Sequence, residues 1–368
     1  MIEYENLGRR ARAEKPPGMT GPPNAASRRK SGVTYPVLDL VRFAAALLVV
    51  FYHLAFYWWQ GVPERRLGIT PWVSCGWIGV EVFFVISGFV IAFSADGKSS
   101  AVFVKSRAAR LYPAVWVCAT VSFLLAPTSV ATYLRSLALF PIGPWVDGVY
   151  WTLPIEMSFY ALVAVALARR WKLDNMAVWL GCYSSAFWAL KALNLIVPFA
   201  DFTWLENHAG YLLLCHFGCF FAAGMLLYSR RKPAAAAVFF VTSFIASAWT
   251  SHAMHLAGAP FYVAPAVWLF ATVLIVAGVF YNPWARKALS WAPTRTIGLM
   301  TYPLYLIHTK LGLAVMHLIR EPVTSFCVGV LSAVAAAFII LPIEQGIRSA
   351  IRSGRVMRNS TAPAADLP

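Results

Sequence analysis

The chain has 368 residues, of which 60% are hydrophobic and only 12% charged, and its formal net charge is +16. A water-soluble protein carries about 25% charged residues, so a soluble globular fold is excluded. With no long soluble stretch there is also no basic domain to bind nucleic acid.

Residues 1–35 are basic, rich in Pro, Gly, Ser and Ala, and lack any hydrophobic period, which predicts a disordered tail. No secretory signal peptide is expected. The first apolar block is too long for an h-region and no small-residue cleavage site follows it. Met19 is an alternative start.

From residue 36 to 346 the apolar residues come in blocks of about 20, the length of a membrane-crossing helix. The fold class expected is an all-α polytopic membrane protein with about ten transmembrane helices. Spans are predicted near 37–59, 73–95, 111–127, 149–168, 176–198, 209–228, 234–251, 261–281, 297–318 and 323–345. Between the third and fourth, "ATYLRSLALF" reads as a short interfacial helix. Residues 347–368 form a second basic tail. Of the 31 Lys and Arg residues, 24 fall in segments on the side of the N-terminus and 4 on the opposite side. That bias places both termini in the cytoplasm and the protein in the cytoplasmic (inner) membrane.

The six cysteines lie in or at the start of apolar blocks, so they suggest no disulfide framework. "CHFGC" at 215–219 reads as core packing, since a four-ligand metal spacing is missing, and no metal is expected. His252 and His255 lack a third ligand and read as part of a solvated loop.

Charged groups in hydrocarbon are costly and face a bundle interior or a watery cavity. Eight such residues stand out: Arg42, His53, Glu81, Glu156, Lys191, His308, Lys310 and Glu344. Eleven residues separate Arg42 from His53, about 20° beyond three full helical turns, so both lie on one face. The predicted spans put His53, Glu81, Glu156 and His308 between about 16 and 20 Å from one surface. Alone, each group could be a satisfied packing hydrogen bond. Together they suggest a proton-handling layer in which a carboxylate orients an imidazole that serves as a general base. On the inner side, "VFVKSRAARLYP" places Lys105, Arg107 and Arg110 at the foot of the third span. Guanidinium groups there suit a phosphate-bearing ligand, although ordinary positive-inside charge needs no more than such a cluster. Ser87 and Gly88 in "FFVISGF" permit close helix approach or a narrow channel.

Five stretches in order, "LDLVRFAAALLVVFYHLAFYWW", "GWIGVEVFFVISGFVIAFS", "KSRAARLYPAVWV", "VYWTLPIEMSFYAL" and "IGLMTYPLYLIH", resemble the integral-membrane acyltransferase 3 family of sugar O-acyltransferases. "LPIEQGIR" departs from the family's usual late E-x-P element. The resemblance is to the stand-alone kind, without a C-terminal hydrolase domain. It implies acyl-coenzyme A as the cytoplasmic donor, acetyl-coenzyme A above all, and a saccharide or glycoconjugate hydroxyl as acceptor. It implies His53 as the catalytic base and an arginine set carried by Arg42, Arg107 and Arg110, with Glu156 and Glu81 at the family's acidic positions. Two readings stand beside it: a proton-coupled transporter or polysaccharide exporter built on the same buried charges, and a non-catalytic membrane scaffold.

Overall fold

The computed structural model describes residues 33–59, 62, 64, 67–198, 208–254, 262–291 and 293–360. Most of the predicted N-terminal tail therefore lies outside the described residues. From Tyr35 onward the chain forms one compact unit.

Among the described residues the regular structure is entirely helical. Helix α1 is Pro36–Ala55, with proline in its first turn and Asp39 beside the positive end of the helix dipole. It breaks at Phe56 and passes into a 3-10 turn, Tyr57–Trp59. The short α2 (Thr70–Val73) leads to α3 (Ile78–Ala95). Helix α4 (Ser100–Leu125) is capped by the Ser99 side chain, and α5 (Val130–Ala138) by that of Ser129. A 3-10 turn, Gly148–Trp151, is capped by Asp147 and runs straight into α6 (Thr152–Ala168). There follow α7 (Leu173–Ile196), α8 (His208–Leu212), α9 (Gly218–Ser229), α10 (Pro233–Met254) and α11 (Val263–Phe280). The last three are α12 (Asn282–Ala288), α13 (Thr294–Met316) and α14 (Pro322–Ser360).

Among the described residues, seven helical segments are long and apolar enough to cross a membrane: 36–59, 70–95, 100–125, 148–168, 233–252, 263–280 and 322–351. Helices α7 and α13 have the length but a less apolar composition, and α9 is apolar but short. Large apolar side chains such as Phe270, Leu331, Phe338 and Ile339 stand exposed on the outside of the bundle. This is an inverted surface for water and the ordinary one for lipid.

Helix α13 packs against α14, α1 and α4, while α3 packs against α9 and α1. At the α3–α9 crossing, a side chain on Gly88 would strike the backbone of Phe221, and one on Gly224 would strike the backbone of Val85. The two glycines thus let a pair of backbones meet, as small residues do between membrane helices.

Three local expectations change. The third span begins at Ser100, eleven residues before the predicted boundary, so Lys105, Arg107 and Arg110 lie on α4 itself and not in a loop before it. Apolar content alone could not show this, because the helix continues through its charged foot. His252 sits in the last turn of α10 and not in a loop, and His255 lies outside the described residues. The predicted second tail begins inside α14, which continues to Ser360.

Candidate active site

A cavity of about 370 Å³ opens between α1, α3, the 147–151 turn and α13. His53 lines it, flanked by Tyr52 and Tyr57 with ring centroids 5.0 and 5.5 Å away. The half-exposed Tyr57 and Trp58 stand at its mouth.

The imidazoles of His53 and His308 meet. His308, on the middle of α13, has no exposed surface. Its Nδ1 lies 2.8 Å from the Tyr305 carbonyl. A carbonyl can only accept, so this nitrogen carries the hydrogen and Nε2 is left as an acceptor. That Nε2 is 3.2 Å from His53 Nδ1, which is also 2.9 Å from the Val49 carbonyl. Both neighbours accept, so His53 Nδ1 carries its hydrogen and shares it between them. The remaining nitrogen of His53, Nε2, keeps a lone pair. Two backbone carbonyls thereby fix both tautomers, and the group orienting His53 is an imidazole where a carboxylate was expected.

Sequence reasoning missed Asp147. Its carboxylate is 2% exposed, lines the chamber, accepts the Thr309 hydroxyl and also accepts Val149 N at 3.2 Å. "DG" between two spans reads as turn punctuation, and it is indeed the cap of the 3-10 turn. The only further signal was its place just before the aromatic stretch "VYW". Tyr305 closes this region. Its hydroxyl donates to the Val149 carbonyl at 2.9 Å and accepts from Thr152 at 3.0 Å.

Two small cavities continue from the chamber toward the foot of α4. The first, about 60 Å³, shares Val80 and Tyr305 with it and is also lined by Arg42, Ser87 and Glu156. The second, about 70 Å³, shares Arg42, Ser87, Glu156 and Tyr302 with the first and adds Arg107 and Arg110. Three cavities thus lie in succession from the arginines to His53, with Tyr305 in the walls of the two nearest the histidine. Arg42 lines both small cavities and His53 the chamber, in keeping with their shared face of α1.

The other predicted site residues divide. Glu81 lines the large chamber but makes no hydrogen bond to the histidines. Glu156 does not line it. It sits in the small cavities and accepts hydrogen bonds from Ser87 (3.0 Å) and Tyr160 (2.6 Å). The proposed single layer therefore splits. Depth along separate helices cannot tell which neighbour a side chain turns to. Lys105 is exposed and lines none of the three cavities. Two residues are about 200° on a helix, so Lys105 and Arg107 face apart, whereas Arg107 and Arg110 are about 60° apart. Gly88 lines none of these cavities either and serves the α3–α9 contact described above.

Arg110 Nη1 pairs with Glu344 Oε1 at 3.3 Å, the carboxylate fully buried and the guanidinium 14% exposed. Arg107 stacks over Phe103, and its buried Nε has no hydrogen-bond partner. Of the three guanidinium groups lining the arginine cavity, that of Arg110 is already paired and that of Arg107 has donor capacity to spare. No group of three or more His, Cys, Asp or Glu that could hold a metal ion occurs among the described residues.

Residues 35–342 match the family model described as "Acyltransferase domain". Among curated proteins, the chain is 32% identical over 173 residues to the exopolysaccharide production protein ExoZ of Rhizobium meliloti (strain 1021), covering 42% of this chain and 50% of that protein. It is 29% identical over 155 residues to an O-acetyl transferase of Shigella phage Sf6, covering 36% and 45%. It is 29% identical over 173 residues to the O-acetyltransferase OatA of Staphylococcus aureus (strain NCTC 8325 / PS 47), covering 38% and 26%. The matches thus span half or less of these relatives' own length. No solved structure matches the chain. With the family model covering most of the helical bundle, including the histidine pair, both carboxylates of the chamber and the arginine cavity, the chain belongs to the acyltransferase 3 family.

Proposed function

We propose that this protein is a membrane O-acyltransferase that takes an acyl group, most simply acetyl, from acyl-coenzyme A and places it on a hydroxyl of a saccharide or glycoconjugate. The observation that carries the reading is the His53–His308 pair, with its one free lone pair at the end of a line of cavities that starts at arginines.

The donor's phosphates would be held by Arg107 and Arg110 at the cytoplasmic face, with Arg42 further in. Bidentate guanidinium contacts suit phosphate. The slender thioester arm would run past Ser87 and Tyr305 and bring its carbonyl beside His53. The acceptor hydroxyl would enter by the aromatic mouth. His53 Nε2 takes its proton as the oxygen bonds to the thioester carbon. The imidazolium then donates more strongly from Nδ1 to His308 Nε2. Collapse of the tetrahedral species breaks the carbon–sulfur bond, and the departing thiolate recovers the proton from His53. Ten crossings, both termini in the cytoplasm and location in the inner membrane complete the reading, supported by the distribution of Lys and Arg.

The test uses the purified protein in detergent or proteoliposomes with labelled acetyl-coenzyme A and envelope glycan. His53→Ala should keep its melting temperature and lose transfer by at least about 10²-fold, the lower range for a general base. Near-normal transfer by that variant would remove His53 from the chemistry and return the chamber to the transporter reading.

A further inference from the structure

Glu156 lines both small cavities between the arginines and the histidine pair, and its two oxygens differ. Oε1 accepts both the Ser87 hydroxyl (3.0 Å) and the Tyr160 hydroxyl (2.6 Å). Oε2 has no hydrogen-bond partner among the described residues, and it is not one of the polar atoms sealed inside the bundle. The two hydroxyls thus hold the carboxylate in place and leave one oxygen open to the cavity. Arg42 lines the same two cavities from α1. It feels the charge of Glu156, yet among the described residues the two form no ion pair and nothing accepts a hydrogen bond from the guanidinium. Its nitrogens are not sealed either.

One narrow space therefore offers a free acceptor from α6 and free donors from α1. That combination is wrong for a phosphate, which the carboxylate oxygen would repel. It is wrong for a thioester too, which has no hydrogen to give. A secondary amide fits both groups. In a trans amide the C=O and N–H point in opposite directions, so one amide can accept from Arg42 while donating to Glu156. Coenzyme A carries two such amides in the arm between its phosphates and its thiol. The protein presents its groups in the same order: Arg107 and Arg110, then Arg42 with Glu156, then His53.

We infer that Arg42 and Glu156 form an amide clamp for the pantetheine arm of the donor, with Glu156 Oε2 accepting an amide N–H and Arg42 donating to the amide carbonyl. The inference rests on the proposed coenzyme A donor and deepens it. The carrier is selected by its peptide-like arm as well as by its phosphates, and an acyl carrier without amides loses that hold. Glu156 is then a binding residue and moves no proton in the transfer.

The experiment is a binding cycle without acceptor, so that no transfer intervenes. The full-length protein in detergent is titrated by calorimetry with four ligands. These are coenzyme A, two analogues in which one or the other amide N–H is replaced by an ester oxygen, and the adenosine nucleotide half of coenzyme A, which keeps all the phosphates and has no arm. In the unaltered protein at least one ester analogue should bind about tenfold or more weaker than coenzyme A, the loss expected for one hydrogen bond to a charged group. Glu156→Ala should weaken coenzyme A by about as much, leave the nucleotide unchanged, and bind coenzyme A and that ester analogue nearly alike. Equal binding of coenzyme A and both ester analogues by the unaltered protein would overturn the clamp. That comparison needs no variant, so it decides even where Glu156→Ala fails to fold. A loss of nucleotide binding in Glu156→Ala as large as the loss of coenzyme A would also overturn it, because Glu156 would then act only by holding the arginines. The two claims separate in the unaltered protein. If coenzyme A and the nucleotide bind but the ester analogues match coenzyme A, the clamp alone falls. If neither coenzyme A nor the nucleotide binds, the proposed donor falls and the clamp with it.

Discussion

His308 holds its own hydrogen against the Tyr305 carbonyl and turns a lone pair to His53, which fixes what its loss would do. Without that ring, His53 Nδ1 keeps only the Val49 carbonyl. The tautomer survives, but the imidazolium formed during the reaction loses its acceptor. His308→Ala should therefore lower kcat by about 10²-fold, within the range for assisted proton transfer, and leave the KM for acyl-coenzyme A unchanged. A steady-state titration of both substrates reads the split. A rise in donor KM with normal kcat would assign His308 to donor binding. This pairing was half legible in the chain. The distance from Arg42 to His53 fixed their shared face because helical geometry is local. That His308 would reach His53, and Glu156 would not, depended on how separate helices rotate toward one another.

Helices α4 and α14 are tied near the foot of the bundle by Arg110 and Glu344. Glu344 is fully buried, and Arg110 has Arg42 as a charged neighbour, so losing the carboxylate leaves crowded positive charge. Glu344→Ala should cost about 3 kcal/mol of stability, the usual penalty for breaking a buried pair from one side, read as a lower melting temperature in detergent. Added acetyl-coenzyme A should raise that temperature more in the variant than in the parent, because its phosphates would supply the missing counter-charge and ligand binding stabilises the folded state. An unchanged melting temperature would show that the pair contributes nothing to holding α4 against α14. The sequence made "LPIEQGIR" look like a weak version of a family element. Its partner lies 234 residues away, so no local pattern could reveal it.

Across the whole molecule, the uneven spread of basic residues predicts a direction for the bundle. With both ends inside, a C-terminal reporter active only in the cytoplasm should be active, and one inserted after Leu125, beyond the outer end of α4, should be silent. The opposite pair of results would place the arginine cavity on the outer face, where cytoplasmic acyl-coenzyme A could not reach it. That outcome would end the proposed donor while leaving the histidine pair untouched.

What the chain alone determined is what short-range physics controls. Blocks of apolar residues set a helical membrane bundle, and helical spacing put Arg42 and His53 on one face. What only the tertiary structure decided is which of the buried polar groups meet. His53 and His308 are 255 residues apart, and Thr309 and Asp147 are 162 apart. Such contacts arise from helix rotation and close backbone approach, as at Gly88 and Gly224, and these depend on the packing of every neighbouring helix at once.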